Sequence, residues 1–139
     1  MILGRSEAFV PVDTEAVSDE DQAQGHAWAT KHRLNALFST DGDGDRPLLG
    51  DEIGTWQRGD ILGLLCARAL GIEALAVPVS CNTAIEACGA FQEVERTRIG
   101  SPYVLASMES LAQRFTRVAG FEANGGFLLG SELENEGRQ

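Results

Sequence analysis

Residues 36–46 read ALFSTDGDGDR, a short apolar run followed by three aspartates that alternate with two glycines and then by an arginine. The run 36–39 predicts a strand that delivers the acidic loop at its carboxyl end, where α/β sheets usually bind ligands. In extended backbone alternate side chains share one face, so Asp41, Asp43 and Asp45 can point at a common centre. The spacing therefore predicts a metal site, and its hard oxygen donors favour Mg²⁺ or Ca²⁺.

Two other interpretations of this loop stay open. Asp-Gly pairs form turns readily, so the loop can be a polar turn between two strands. The three aspartates and Glu52 also occupy positions one, three, five and twelve of an EF-hand calcium loop. Against the EF-hand, Arg46 stands where that loop needs glycine. Residues 52–59 also carry two glycines and no helical stripe, so they do not predict its exit helix.

Length and charge limit the possible functions. A chain of 139 residues suffices for one full domain or one and a half small ones. Its net charge of −10 disfavours sequence-independent binding to nucleic acid or to an anionic membrane. The sequence lacks an apolar run of membrane-spanning length and a secretory signal pattern, and its three cysteines form no C-x-x-C pair. We therefore expect a cytoplasmic protein whose partners are small molecules.

Capping residues predict three longer helices and a brief one over 83–88, which Asn82 or Ser80 could cap. Ser18 can cap a helix over 19–31, whose thin apolar side would be formed by alanines and a tryptophan. Asp60 can cap an apolar helix over 61–70. Ser101 is predicted as the N-cap of the third helix, because a proline follows it at the favoured first helical position.

Short strands alternate with these helices. Residues 48–49 and 55–56 predict a small hairpin, and 74–79 and 93–97 predict single strands. Two further apolar runs, 118–122 and 127–129, flank an Asn-Gly turn and predict another hairpin. The alternation predicts an α/β fold, a mixed β-sheet with flanking helices.

Three motifs, in this order along the chain, resemble the α-D-phosphohexomutases, isomerases that interconvert hexose 1-phosphates and 6-phosphates by intramolecular phosphoryl transfer. Residues 41–46, DGDGDR, are similar to the magnesium loop of that family. Residues 97–104, TRIGSPYV, are similar to another family segment, and residues 120–126, GFEANGG, to its sugar-recognition loop. Each motif alone is weak, but together they cover nearly the whole chain.

The resemblance implies a place within a four-domain enzyme. It assigns residues 1–57 to the end of domain two and residues 58–139 to domain three. The phosphoserine motif of domain one, Thr-Ala-Ser-His-Asn-Pro, is absent from the sequence, and the phosphate-binding loop of domain four would lie beyond residue 139. We therefore expect a fragment that is inactive alone and that works with the missing domains one and four.

The resemblance also implies roles in phosphoryl transfer. Mg²⁺ held by Asp41, Asp43 and Asp45 would neutralise charge on the transferring group. Arg46 could contact that phosphate through its planar guanidinium group, or it could simply balance the aspartates.

A second set of residues is implied in sugar binding. Glu122 and Asn124 match family positions that hydrogen-bond vicinal sugar hydroxyls, and Gly125 lies in the same loop. Arg98 and Ser101 could line the sugar-phosphate path, although a strand-edge arginine and a helix cap would explain them as well.

The loop departs from many family members, which carry serine in place of Asn124 and histidine in place of Gly126. The Ala-Asn-Gly-Gly variant is more similar to bacterial phosphomannomutases, so mannose phosphates are the expected substrates. The alternative from a different class is a non-catalytic module that binds a divalent cation or a sugar phosphate.

Overall fold

The computed structural model describes residues 1–131, which form two compact units. The first unit comprises Met1–Gly63 together with the short loop Ala123–Gly126. The second begins at Leu64, runs to Glu122, and resumes at Phe127. The recognition loop predicted from the sequence is therefore divided, because its residues 123–126 belong to the same unit as the acidic loop.

The first unit packs one helix against a two-stranded sheet. Helix α1 spans Asp19–His32, and strands β1 (Leu37–Thr40) and β2 (Pro47–Gly50) pair antiparallel. As predicted, Ser18 caps α1: its Oγ accepts a hydrogen bond of 3.1 Å from the Asp21 N–H. The apolar side chains form a small core made of Ala29, Leu37, Leu48 and Trp56, with Val12, Val17, Trp28 and Leu34 against it.

The buried face of α1 differs from the predicted one. Gly25 and Ala29 are the buried residues of the helix, whereas Ala23 and Ala27 are not buried. A Cβ on Gly25 would lie 2.7 Å from the Gly54 carbonyl oxygen and 2.9 Å from Trp56 Nε1. The helix therefore meets its neighbours at a glycine, which an apolar pattern does not reveal.

The acidic loop joins β1 directly to β2. An EF-hand needs a helix on each side of its calcium loop, but here strands lie on both sides, so the EF-hand alternative is wrong. The predicted hairpin after β2 is present as a short turn, with a bridge between Gly50 and Trp56. The main partner of β2 is nevertheless β1.

The second unit is built on a four-stranded mixed sheet of order β4-β3-β5-β6. Its strands are β3 (Ala74–Pro78), β4 (Glu93–Thr97), β5 (Val118–Phe121) and β6 (Phe127–Leu129). Strand β3 pairs parallel with β4 and β5, and β6 pairs antiparallel with β5, as the Asn-Gly turn predicted. Pro78 ends the central strand, where its missing N–H does not interrupt the ladder.

Helix α4 (Ser101–Leu111) covers this sheet. Its buried face contributes to a core of Ala74, Ala76, Val104, Met108, Leu111 and Val118. Residues 1–131 also contain α2 (Gly59–Ala69), which begins in the first unit, and the short α3 (Ala84–Ala87). None of the helices within residues 1–131 is long and apolar enough to span a bilayer.

Two predicted helix caps are wrong by about one residue. Helix α2 begins at Gly59, so Asp60 lies inside its first turn, fully buried, and both its oxygens accept from Arg58 at 3.1 and 3.2 Å. The N-cap of α4 is Gly100 instead of Ser101. The Ser101 hydroxyl donates to Glu122.

Candidate functional site

Asp41, Asp43 and Asp45 come together in the connection between β1 and β2. Each offers one carboxylate oxygen, and these oxygens all lie within 4.8 Å of one another. Asp41 is half-buried, whereas Asp43 and Asp45 are exposed. Three carboxylate oxygens at this separation are a donor set that suits a hard divalent cation such as Mg²⁺.

Asp41 also determines the conformation of the loop. Its Oδ1 accepts hydrogen bonds of 3.2 Å from the N–H groups of Gly44 and Arg46. The Asp41 N–H in turn donates to the Arg46 carbonyl at 3.3 Å. Gly44 has a φ of +81°, which glycine adopts without strain. The loop is therefore closed around one carboxylate by its own backbone hydrogen bonds.

Burial, hydrogen bonds and charge within the loop shift the pKa values of two aspartates in opposite directions. Partial burial raises the pKa of Asp41, but hydrogen bonds from Arg46, Asp45, Asp43 and Gly44 outweigh it and hold that pKa below 3.8. Partial desolvation, the hydrogen bond to Asp41 and the charges of Asp43 and Asp41 raise the pKa of Asp45 above 3.8, against the opposing charge of Arg46. As pH rises, Asp45 therefore loses its proton after Asp41.

The side chain of Arg46 lies beside the cluster at ion-pair distance. Its Nε is 3.9 Å from Asp41 Oδ2 and 3.8 Å from Asp45 Oδ1, distances too long for hydrogen bonds. Nearly half of its side chain is exposed, and it lines a groove of about 520 Å³ with residues 11–15. Arg46 therefore balances charge and presents a guanidinium group to an open groove.

The loop Ala123–Gly126 is tightly held within the first unit. Asn124 Oδ1 accepts from the Gly126 N–H at 2.9 Å, and Gly125 is buried with a φ of +94°. A Cβ on Gly125 would lie 3.2 Å from the carbonyl oxygen of Pro47, the residue that follows the acidic loop. Asn124 and Gly125, two of the predicted sugar-binding residues, therefore lie in a loop that packs against Pro47, the first residue of β2.

The other predicted sugar-binding residues lie in the second unit. Arg98 follows β4, Ser101 begins α4 and Glu122 follows β5, and both strands run parallel to β3. Ser101 Oγ donates to Glu122 Oε2 at 3.1 Å, and the Arg98 guanidinium lies 5.7 Å from the centre of the Tyr103 ring. The carboxyl edge of a parallel sheet is where α/β proteins usually bind ligands.

Arg96 organises a turn at the same edge, a role that no motif in the sequence predicted. Its guanidinium donates to the carbonyls of Pro78, Cys81 and Asn82 at 2.8–3.1 Å, and to both oxygens of Glu86 at 2.6 Å. The hydrogen bond from Arg96 lowers the pKa of Glu86, against the opposing effect of partial burial. The only sequence signal here is the alternation of polar and apolar residues along β4. It does not distinguish an arginine that holds a turn through hydrogen bonds from one that is solvated.

Known proteins match most of this chain. The family model described as phosphoglucomutase/phosphomannomutase, alpha/beta/alpha domain III, matches residues 58–137. A phosphomannomutase of Salmonella muenchen is 59% identical over 131 residues, which cover 94% of this chain and 27% of that protein. A phosphomannomutase of Sinorhizobium fredii (strain NBRC 101917 / NGR234) is 53% identical, with 94% of this chain and 28% of the relative covered.

A solved structure shares the fold. It is the crystal structure of a Thermus thermophilus protein described as a candidate phosphomannomutase. The match has a TM-score of 0.51 and 20% identity, and it covers 68% of this chain and 22% of the Thermus chain. At this identity the likeness concerns the fold alone. The chain spans about a quarter of the length of the curated relatives it matches.

Proposed function

Because the chain belongs to the phosphoglucomutase/phosphomannomutase family, we propose that it supplies the metal-binding and sugar-binding parts of a phosphomannomutase-type phosphohexomutase. Residues 1–57 would be the end of domain two and residues 58–139 domain three, with mannose phosphates as substrates. The observation that carries the proposal is the convergence of three carboxylate oxygens within 4.8 Å in a loop of the family pattern.

In this proposal the aspartate loop prepares a phosphoryl transfer. Bound by Asp41, Asp43 and Asp45, Mg²⁺ would neutralise charge on the equatorial oxygens of the phosphoryl group. Arg46 would bind the same group, since its planar guanidinium matches the geometry of phosphate oxygens. Its position supports this role, because it lies within 4 Å of two aspartates while lining an open groove.

The sugar would be recognised through its hydroxyl groups. Glu122 accepts from Ser101 through one oxygen, and a carboxylate has room for further donors. The Asn124 amide uses Oδ1 within its own turn and can donate to a hydroxyl through its NH₂ group. Gly125 lets the chain turn directly after Asn124, and Arg98 would attract the phosphate of the substrate through its charge.

The chain alone should not catalyse the transfer. Transfer to a sugar hydroxyl needs a phosphoryl donor, and the phosphoserine motif that supplies it in the family does not occur in the sequence. We therefore expect the chain to bind Mg²⁺ and hexose phosphate without interconverting hexose phosphates.

Calorimetry and a coupled mutase assay on the same preparation test this. Binding of mannose 1-phosphate in the presence of Mg²⁺ without formation of mannose 6-phosphate supports the proposal, and measurable turnover contradicts the expected inactivity. Sequencing the flanking DNA distinguishes a mutase from a free-standing binding module. A phosphoserine motif in the same reading frame upstream supports the mutase, whereas a stop codon there favours the module.

A further inference from the structure

Thr14 is a buried residue in an otherwise exposed or half-buried segment. Only 3% of its surface is exposed, and its Oγ1 donates to the Asn124 carbonyl at 2.8 Å, across 110 residues of sequence. Asp13 Oδ1 closes a turn around it by accepting from the N–H groups of Glu15 and Ala16, at 2.9 and 3.2 Å. The segment therefore presents the Thr14 hydroxyl to the loop Ala123–Gly126.

The loop is held at further points of the first unit. Gly125 lies against the Pro47 carbonyl, and Gly59 lies so close to the Gly125 nitrogen and the Ala123 carbonyl that it has no room for a side chain. These two contacts fix the backbone on either side of the Asn124 carbonyl group. The hydrogen bond from Thr14 holds that carbonyl group itself. It therefore fixes the orientation of the peptide group between Asn124 and Gly125.

We propose that Thr14 is a positioning residue for sugar recognition, which orients Asn124 through a hydrogen bond to its carbonyl oxygen. The inference rests on the proposed function of Asn124. Thr14 does not contact the sugar in this account, and it does not contribute to the aspartate cluster. Its loss should therefore weaken hexose phosphate binding and leave Mg²⁺ binding unchanged.

The first test needs no ligand. Thr14→Val keeps the shape of the side chain and removes the hydroxyl, Thr14→Ser restores the hydroxyl, and Thr30→Val is the matched control on the exposed side of α1. We expect amide hydrogen exchange of Gly126, whose N–H donates to Asn124, to rise about fivefold in Thr14→Val, as for loss of one hydrogen bond. Thr14→Ser and Thr30→Val should stay within about twofold of wild type. Unchanged exchange at Gly126, or an equal rise throughout the first unit, would overturn the inference.

The second test uses mannose 1-phosphate as the probe, titrated by NMR at saturating Mg²⁺. We expect the Kd for mannose 1-phosphate to rise about fivefold in Thr14→Val and to recover in Thr14→Ser, with the Kd for Mg²⁺ unchanged in both. Equal sugar-phosphate affinity in wild type and Thr14→Val would overturn the positioning role. Failure of the wild type to bind mannose 1-phosphate would instead contradict the proposed function, so the two failures are distinguishable.

Discussion

Asp41 serves both the conformation and the charge of the acidic loop. One of its oxygens accepts two backbone N–H groups, while its carboxylate also belongs to the cluster with Asp43 and Asp45. An amide in its place keeps the acceptor and loses the charge. The two tasks can therefore be separated by a single substitution.

Asp41→Asn is predicted to bind Mg²⁺ at least about tenfold more weakly, because a neutral amide replaces one of three anionic donors. The loop should stay closed, since Oδ1 of the asparagine can still accept from Gly44 and Arg46. Calorimetric titration with MgCl₂ measures the affinity. Asp51→Asn is the matched control, because Asp51 closes a turn through Oδ1 in the same way and lies outside the cluster. Equal losses in both variants would contradict the assignment.

Asp45→Asn is predicted to stabilise the metal-free chain at pH 7. The folded pKa of Asp45 is raised above 3.8, so its ionisation disfavours the fold as pH rises through that pKa. The advantage of the variant should vanish below pH 3.8, where the carboxyl is protonated in both the folded and the unfolded state.

Urea unfolding followed by tryptophan fluorescence measures this, because Trp28 and Trp56 both lie in the first unit. Saturating Mg²⁺ at pH 7 should remove or reverse the difference, since an ion bound by Asp45 would stabilise wild type. If Asp45→Asn is less stable than metal-free wild type at pH 7, the proposed repulsion of Asp45 by Asp41 and Asp43 is contradicted.

At the scale of single elements, local patterns predicted most of the fold. The Ser18 cap and the Asn-Gly turn each depend on neighbours within four residues, and both are present. The predicted N-caps were wrong where the side chain hydrogen-bonds to another residue instead of to the start of its helix. Ser101 donates to Glu122, and Asp60 accepts from Arg58. The hydrogen bond of Thr14 across 110 residues has no local signal at all.

Helix α4 and strand β5 approach each other closely at Gly120. A Cβ there would lie 2.7 Å from Met108 Sδ and 3.0 Å from the Ala76 carbonyl oxygen, and would also meet Val104. Gly120→Ala is therefore predicted to destabilise the second unit by about 2 kcal/mol through overpacking. Urea unfolding followed by far-ultraviolet circular dichroism measures the loss. Adding Val104→Ala should recover part of it, whereas a Gly120→Ala variant within about 0.5 kcal/mol of wild type would refute the close approach.

At the scale of the whole molecule, the predicted α/β class and the family are confirmed. The order of the sheet could not be predicted, because β3 pairs with strands that are distant in sequence and apolar runs do not specify their neighbours. The roles of the site residues stay predictions. The structure gathers the three aspartates and, separately, Ser101 with Glu122.

An NMR titration of the chain, first with Mg²⁺ and then with a hexose bisphosphate, tests whether the two loops bind metal and sugar. We predict that Mg²⁺ shifts the amide signals of residues 41–46, and that the bisphosphate then shifts those of residues 122–126. Saturation of the first step with no change at 41–46, or of the second with no change at 122–126, would contradict the assignment of these loops to metal and sugar.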